Sequence, residues 1–165
     1  MNAKLITLFL FFVLSHQTVA EEVEPNLVNA AALKSPTTYE LTNSWQIGKV
    51  QAGAGWALGA TGLGIRVGVI DTGVFNTKEL GSRLLGGWNF VKNKAIAANT
   101  NSDDNGHGTH VSGIIAAESG TTSPITTSVV GVAPEAFIVP IKVLDSRGSG
   151  TLTNLSKGQI GRAHV

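Results

Sequence analysis

The chain has 165 residues, which is enough for one modest domain or for part of a larger one. Its residues are 42% hydrophobic and 14% charged, a globular composition that excludes an intrinsically disordered chain. The formal net charge is only +1 and no basic stripe is present, so we expect no nucleic-acid partner. The absence of cysteine excludes a disulfide, a thiolate zinc site and a cysteine nucleophile.

The first 20 residues, MNAKLITLFLFFVLSHQTVA, have the pattern of a secretory signal peptide. Lys4 provides the positive start, residues 5–14 form an apolar stretch, and Ala20 is the small residue that signal peptidase requires. The apolar stretch is shorter than the about 20 residues that span a bilayer. We therefore expect a secreted protein that leaves the membrane after cleavage; an uncleaved anchor is the alternative.

Residues 21–43 contain two prolines and show weak periodicity, which favours a linker or a short pro-segment. A peptidase-like domain is expected to begin at residue 44. The segment before the first strand offers four apolar side chains for burial: Ile47, Val50, Trp56 and Leu58.

Two β-branched runs, IRVGVI at residues 65–70 and AFIVPIKVL at residues 136–144, predict buried strands. Between them, the stretch NTKELGSRLLGGWNFV predicts a turn or short helix and then a strand. Residues 95–106 predict a polar loop, and residues 107–117 a helix. A turn and the start of another helix follow the second run. The alternation of strand and helix indicates an α/β fold with a parallel sheet flanked by helices.

The last seven residues, QIGRAHV, can be encoded by CAG ATC GGA AGA GCA CAC GTC, which resembles a sequencing-library adapter. Our hypothesis is that the native sequence is cut near Gly158 and that residues 159–165 are translated adapter. A real C-terminus is the alternative. Independent reads that carry these codons into further coding sequence would refute the hypothesis.

Four histidines are present, of which His16 lies in the signal segment and His164 in the suspect tail. His107 and His110 remain, both in the motif DDNGHGTHVSGII. They could be metal ligands, but a pair one helical turn apart needs further ligands and cysteine is absent. We expect His110 to be a packed, hydrogen-bonded helix residue and His107 to carry the chemistry.

The motif VGVIDTG places Asp71 at the carboxyl end of a buried strand, where ligands bind in open α/β sheets. A carboxylate there must accept hydrogen bonds; the alternative is that Asp71 only caps a turn. His107 stands at a helix start, after three residues expected to cap or neutralise the helix: Asp103, Asp104 and Asn105. Both can meet at one sheet edge, where an acid could orient the imidazole of a catalytic base.

Three motifs in this order, VGVIDTG, DDNGHGTHVSGIIAA and GVAPEAFIVPIKVLDSRGSGT, resemble those of subtilisin-like serine proteases (subtilases, peptidase S8 family). The resemblance runs from about Trp45 to Gly158. It implies that residues 44–158 form the N-terminal part of a subtilisin-like three-layer α/β/α fold. It implies that Asp71 is the orienting acid and His107 the general base of an Asp-His-Ser triad. The resemblance also implies that three residues bind an extended peptide substrate by strand addition: Gly148, Ser149 and Gly150.

The nucleophilic serine of the family, in a Gly-Thr-Ser-Met-Ala-type motif, and the asparagine of its oxyanion hole would fall beyond Val165. We therefore expect this polypeptide alone to be inactive, and unstable because later strands are missing. The chemistry requires no cofactor. A structural calcium ion stays open as an alternative, but TKEL at residues 77–80 and the segment at residues 118–130 do not form a clear calcium motif, so no metal ligand is assigned. A monomer is expected.

Two other functions stay open at this point. Asp-Thr-Gly is also the signature of aspartic proteases, which need two carboxylates that share a proton. The chain could also be a secreted pseudoprotease that binds peptides without cleaving them.

Overall fold

The computed structural model describes residues 36–120 and 129–161. The predicted signal peptide and residues 162–165 of the tail lie outside the described residues. The helices are α1 (Thr38–Asn43), α2 (Gln46–Lys49), α3 (Ala52–Ala57), α4 (His107–Ala116) and α5 (Leu152–Gly161). The strands are β1 (Arg66–Asp71), β2 (Gly87–Asn89), β3 (Lys94–Ile96) and β4 (Phe137–Lys142), and a 3₁₀ turn spans Gly81–Arg83. None of these helices is long and apolar enough to cross a membrane.

The sheet has the strand order β1-β4-β2-β3, in which β1, β4 and β2 are parallel. The two predicted β-branched strands are therefore β1 and β4, which pair directly. The expected parallel pairing holds for β1, β4 and β2, and β3 adds an antiparallel pairing with β2. The prediction of a polar loop at residues 95–106 was wrong only for Ala95 and Ile96, which belong to β3. Only Ile96 is buried in this three-residue strand, so its pattern is too short to show a strand periodicity.

Alternating side chains of the sheet face two different helices. Val69 of β1 and Ile138 of β4 pack with Val111 of α4 on one face. On the other face α5 lies against β4, where a Cβ added to Gly158 would be 3.2 Å from the Ile141 Cγ2. Helices thus cover both faces of the sheet, and the predicted three-layer α/β/α fold is confirmed.

Helix α1 forms within the segment for which the sequence predicts a linker. Thr37 caps it, and Glu40 completes a capping box by accepting from the Thr37 backbone N–H at 2.8 Å. The Glu40 carboxylate is fully buried and also accepts hydrogen bonds from the Ser119 hydroxyl and the Gly120 backbone N–H. These bonds join α1 to the segment that follows α4.

The four apolar residues expected to be buried before β1 divide into two pairs. Ile47 is buried, and Trp56 packs partly buried beside it against Val130. Val50 and Leu58 are 59% and 88% exposed, so their predicted burial was wrong. Each follows the last residue of a short helix, α2 or α3, and so lies away from the packed face.

Candidate active site

Asp71 is the last residue of β1, and its carboxylate lies at the carboxyl end of the sheet. Side chains alternate along a strand, so Asp71 faces α4 as Val69 does. The residue is only 5% exposed. Its Oδ1 accepts a hydrogen bond from the Thr72 backbone N–H at 2.6 Å. This bond satisfies one lone pair of a carboxylate that burial would otherwise disfavour.

His107 is the first residue of α4, and its imidazole contacts Asp71. The His107 Nδ1 lies 2.8 Å from Oδ1 and 2.9 Å from Oδ2 of Asp71. The expected meeting of the two residues is therefore present. An ionised carboxylate can only accept hydrogen bonds, so the nitrogen that faces it must carry the hydrogen. This contact therefore favours the tautomer with hydrogen on Nδ1. The His107 side chain is 40% exposed, whereas that of Asp71 is 6% exposed.

Two glycines allow α4 and the loop that precedes it to approach the end of β1 this closely. Gly73 has a φ of +103°, and a Cβ there would lie 2.5 Å from the Ser102 carbonyl oxygen. A Cβ on Gly108 would overlap the Gly73 carbonyl oxygen and lie 3.2 Å from the Asp71 Cβ. The direct bond between acid and imidazole therefore depends on the absence of side chains at both positions.

Asp103 caps α4, as the sequence predicts. It accepts hydrogen bonds from the backbone N–H groups of Asn105, Gly106 and Thr109 and from the hydroxyls of Thr109 and Thr72. Burial opposes the charge of this carboxyl, but the hydrogen bonds outweigh burial and lower its pKa from 3.8 to about 2. Asp103 is therefore held ionised at the start of the helix, where its negative charge also interacts favourably with the positive end of the helix dipole.

Asp104 does not cap the helix, so that part of the prediction was wrong. Its Oδ1 instead lies 2.6 Å from Nζ of Lys142, the last residue of β4. The Lys142 side chain is 1% exposed and also donates to the carbonyl oxygens of Thr72 at 2.5 Å and Leu144 at 2.9 Å. Sequence reasoning missed this lysine, although a lone charge inside an apolar strand requires buried partners.

His110 is exposed, so the expectation that it is packed was wrong. The buried face of α4 consists of Gly108, Val111, Ser112 and Ala116. His110 lies on the opposite side, which faces away from the sheet. Within residues 36–120 and 129–161, no three His, Asp or Glu side chains gather as a metal site would require. Residues 121–128 of the segment considered for calcium lie outside the described residues.

The three residues expected along the substrate edge, Gly148, Ser149 and Gly150, are exposed in the turn after β4. Asp145 closes this turn by accepting from the backbone N–H groups of Arg147 at 2.9 Å and Ser149 at 3.0 Å. These bonds lower the pKa of the Asp145 carboxyl. The Asn105 Nδ2 donates to the Ser146 carbonyl oxygen at 3.0 Å, which links the turn to the loop before His107.

Known proteins resemble this chain in both sequence and structure. The sequence profile of the subtilase family (peptidase S8) matches residues 62–163. Thermitase from Thermoactinomyces vulgaris is 40% identical over 111 residues, which cover 67% of this chain and 37% of thermitase. M-protease from Shouchella clausii is 37% identical over 139 residues, which cover 84% of this chain and 34% of that protein. The chain thus spans about a third of the length of these relatives.

Two solved structures share the fold. Fervidolysin from Fervidobacterium pennivorans, a keratinolytic enzyme related to subtilisin, superposes with a TM-score of 0.57 at 32% identity, over 66% of this chain and 17% of fervidolysin. A cold adapted subtilisin-like serine proteinase gives a TM-score of 0.50 at 38% identity, over 63% of this chain and 33% of that chain. The profile match covers more than half of the sequence and includes both Asp71 and His107. This chain therefore belongs to the subtilase family.

Proposed function

We propose that this chain supplies the acid and the base of a secreted subtilisin-like serine endopeptidase. The observation that carries the proposal is the contact of the His107 Nδ1 with both carboxylate oxygens of Asp71. A hydrolytic triad needs such a pair, in which the acid orients the imidazole so that its other nitrogen can exchange a proton with a nucleophile. The chain order of acid before base is that of the subtilisin triad.

In the proposed mechanism, His107 takes the proton of a serine hydroxyl as the serine attacks the peptide carbonyl. Asp71 stabilises the imidazolium that forms and keeps the proton on Nδ1. His107 then protonates the leaving amine, and water releases the acyl group from the serine. The serine is expected in a Gly-Thr-Ser-type motif that follows the residues of this chain.

The turn after β4 supports an extended peptide as the substrate. Gly148, Ser149 and Gly150 are exposed and lie in the turn that Asn105 joins to the loop before His107. Backbone groups exposed at such an edge can pair with a substrate backbone, as in strand addition. The N-terminal 20 residues support secretion by their signal-like pattern.

The names of the relatives support peptide hydrolysis as the reaction. M-protease and the cold adapted proteinase are proteases by name, and fervidolysin is described as keratinolytic. The aspartic-protease alternative finds no support at Asp71, because the side chain bound to its carboxylate is an imidazole. A peptide-binding pseudoprotease stays the second candidate, and the continuation of the coding sequence discriminates between the two.

The first prediction concerns the acid and the base. The protein encoded by the coding sequence continued beyond Gly158 should hydrolyse peptides and should be inactivated by a serine-directed phosphonate. Asp71→Asn should lower kcat by about 10⁴-fold, because the imidazole loses the partner that fixes its tautomer. His107→Ala should lower kcat at least as much. A steady-state peptide assay measures both.

His110→Ala is the matched control, because this exposed histidine lies on the same helix and should leave kcat unchanged. A continued sequence without a Gly-Thr-Ser motif, or full activity in Asp71→Asn, would contradict the proposal. The first of these outcomes would favour the pseudoprotease.

A further inference from the structure

Lys142 is a buried cation for which the proposed mechanism has no use. It ends β4, the strand that pairs with β1, and its Cα is in register with that of Asp71. A lysine ammonium has three donors and no acceptor. All three donors find oxygens, at 2.5 Å on Thr72, 2.6 Å on Asp104 and 2.9 Å on Leu144. A charge this deeply buried is stable only when it is paired and fully hydrogen-bonded.

The three oxygens belong to three different parts of the candidate site. The Thr72 carbonyl follows Asp71 directly. Asp104 lies in the loop that leads to His107. The Leu144 carbonyl precedes the turn that presents Ser149. One ammonium group therefore joins the segments that carry the acid, the base and the expected substrate edge.

We propose that Lys142 is a positioning residue that fixes the positions of Asp71, His107 and the turn after β4 relative to one another. The inference rests on the proposed function only for the roles given to those residues. The contacts that Asp103 and Asp104 make in the loop before His107 explain why the Lys142 ammonium is needed to hold this loop against β4. Asp103 attaches the loop to α4 and to the Thr72 hydroxyl, whereas Asp104 attaches it to β4. Without the lysine, the two carbonyls lose their shared donor and Asp104 loses its counter-charge.

Arg83 offers a matched control at the opposite end of α4. Its guanidinium donates to the carbonyl oxygens of Ala116 and Ala136 at 2.9 Å each, and it pairs with Glu118 at 3.7 Å. Its side chain is 13% exposed. It is therefore also a largely buried cation held by carbonyls and a carboxylate, but it lies away from Asp71 and His107. Its loss should destabilise the fold without changing the contact between acid and base.

The test compares Lys142→Met with Arg83→Met in the ¹⁵N-labelled protein that is encoded by the coding sequence continued beyond Gly158. Long-range ¹H–¹⁵N spectra of the neutral His107 imidazole give the ratio of its Nδ1–H and Nε2–H tautomers. Both variants should lower the thermal midpoint. Only Lys142→Met should lower the Nδ1–H to Nε2–H ratio, by about twofold to tenfold, the shift expected when one hydrogen bond is weakened. An unchanged ratio in Lys142→Met, or an equal change in Arg83→Met, would overturn the proposal.

Asp104→Ala decides the question if Lys142→Met does not fold, because Asp104 is 43% exposed and its loss leaves both carbonyl bonds intact. It should move the tautomer ratio in the same direction by a smaller factor, and an unchanged ratio would refute the inference. The spectra report on the Asp71–His107 contact whether or not the protein cleaves peptides. A tautomer shift in a protein that proves inactive would therefore overturn the proposed function and leave the positioning role standing.

Discussion

The carboxylate of Asp103 links Thr72, the residue that follows the catalytic-acid candidate Asp71, to the helix that carries the imidazole. The Thr72 hydroxyl donates to the Asp103 Oδ1 at 2.8 Å and accepts from the Gly108 backbone N–H at 2.9 Å. The Asp103 Oδ2 accepts from the Thr109 backbone N–H at 3.0 Å. Asp103 thus adds a second connection beside the direct Asp71–His107 contact, and protonation of Asp103 should weaken this connection.

The charge of Asp103 predicts how the stability of the chain depends on pH. Its folded pKa of about 2 lies below the ordinary value of 3.8. The stabilisation is therefore fully present above about pH 4 and is lost as the pH falls toward 2. Asp103→Asn should lower the unfolding free energy at pH 6 by about 1 kcal/mol, a value reduced for the solvent screening of this partly exposed carboxyl.

Denaturant titrations at pH 6 and pH 2.5 measure this effect. The difference between the unmodified chain and Asp103→Asn should shrink at the lower pH, where the carboxyl is partly protonated in the folded state. A difference that is the same at both pH values would show that the charge of Asp103 contributes nothing.

At the scale of elements, the site depends on how closely α4 packs on the end of β1. The two elements touch through Gly108 and the Gly73 carbonyl, without an intervening side chain. Gly113 is on the same helix, but a Cβ there would meet no heavy atom within 4 Å. Gly108 and Gly113 therefore have the same helical backbone conformation, but only Gly108 is closely packed.

Alanine at these two positions should have opposite effects. Gly108→Ala should lower the unfolding free energy by about 1–3 kcal/mol, because the new methyl group pushes α4 away from β1. It should also weaken the Asp71–His107 contact, seen in the imidazole spectrum. Gly113→Ala should raise the unfolding free energy by up to about 1 kcal/mol through helix propensity. Equal effects of the two substitutions in thermal denaturation would contradict the close approach of α4 to the end of β1 at Gly108.

At the scale of the whole molecule, the described residues leave apolar surface and a strand edge open. β1 forms one edge of the described sheet, because its partner is β4 alone. Helix α5 exposes three apolar side chains: Leu152, Leu155 and Ile160. Exposed apolar patches and unpaired strand edges promote association. In the relatives, about two thirds of the sequence has no counterpart in this chain.

We expect this chain alone to self-associate at micromolar concentration and to show no peptide hydrolysis. The continued protein should be monomeric, because later strands and helices would cover these surfaces. Light scattering checks the association. A Leu152→Gln/Ile160→Gln double variant should reduce it, and a monodisperse, soluble chain without the double substitution would refute the prediction.

Local sequence patterns predicted the structure correctly where a residue type strongly favours one kind of element. The β-branched runs predicted β1 and β4, and the Asp-Asp-Asn-Gly stretch predicted the start of α4. The motifs also predicted that Asp71 and His107 meet, because strand ends and helix starts share one edge of a parallel sheet. β3 was missed, since only one of its three residues is buried and its pairing with β2 is not a local property.

The sequence by itself determined β1, β4 and the start of α4, the order of acid before base and the residue types that could do the chemistry. Only the tertiary structure decided the partners of the other charges. It paired Asp104 with Lys142, 38 positions away, and it exposed His110. The physical reason is that these contacts depend on the strand order, in which β4 lies beside β1. That order follows from packing across the whole sheet, which no local pattern of residues encodes.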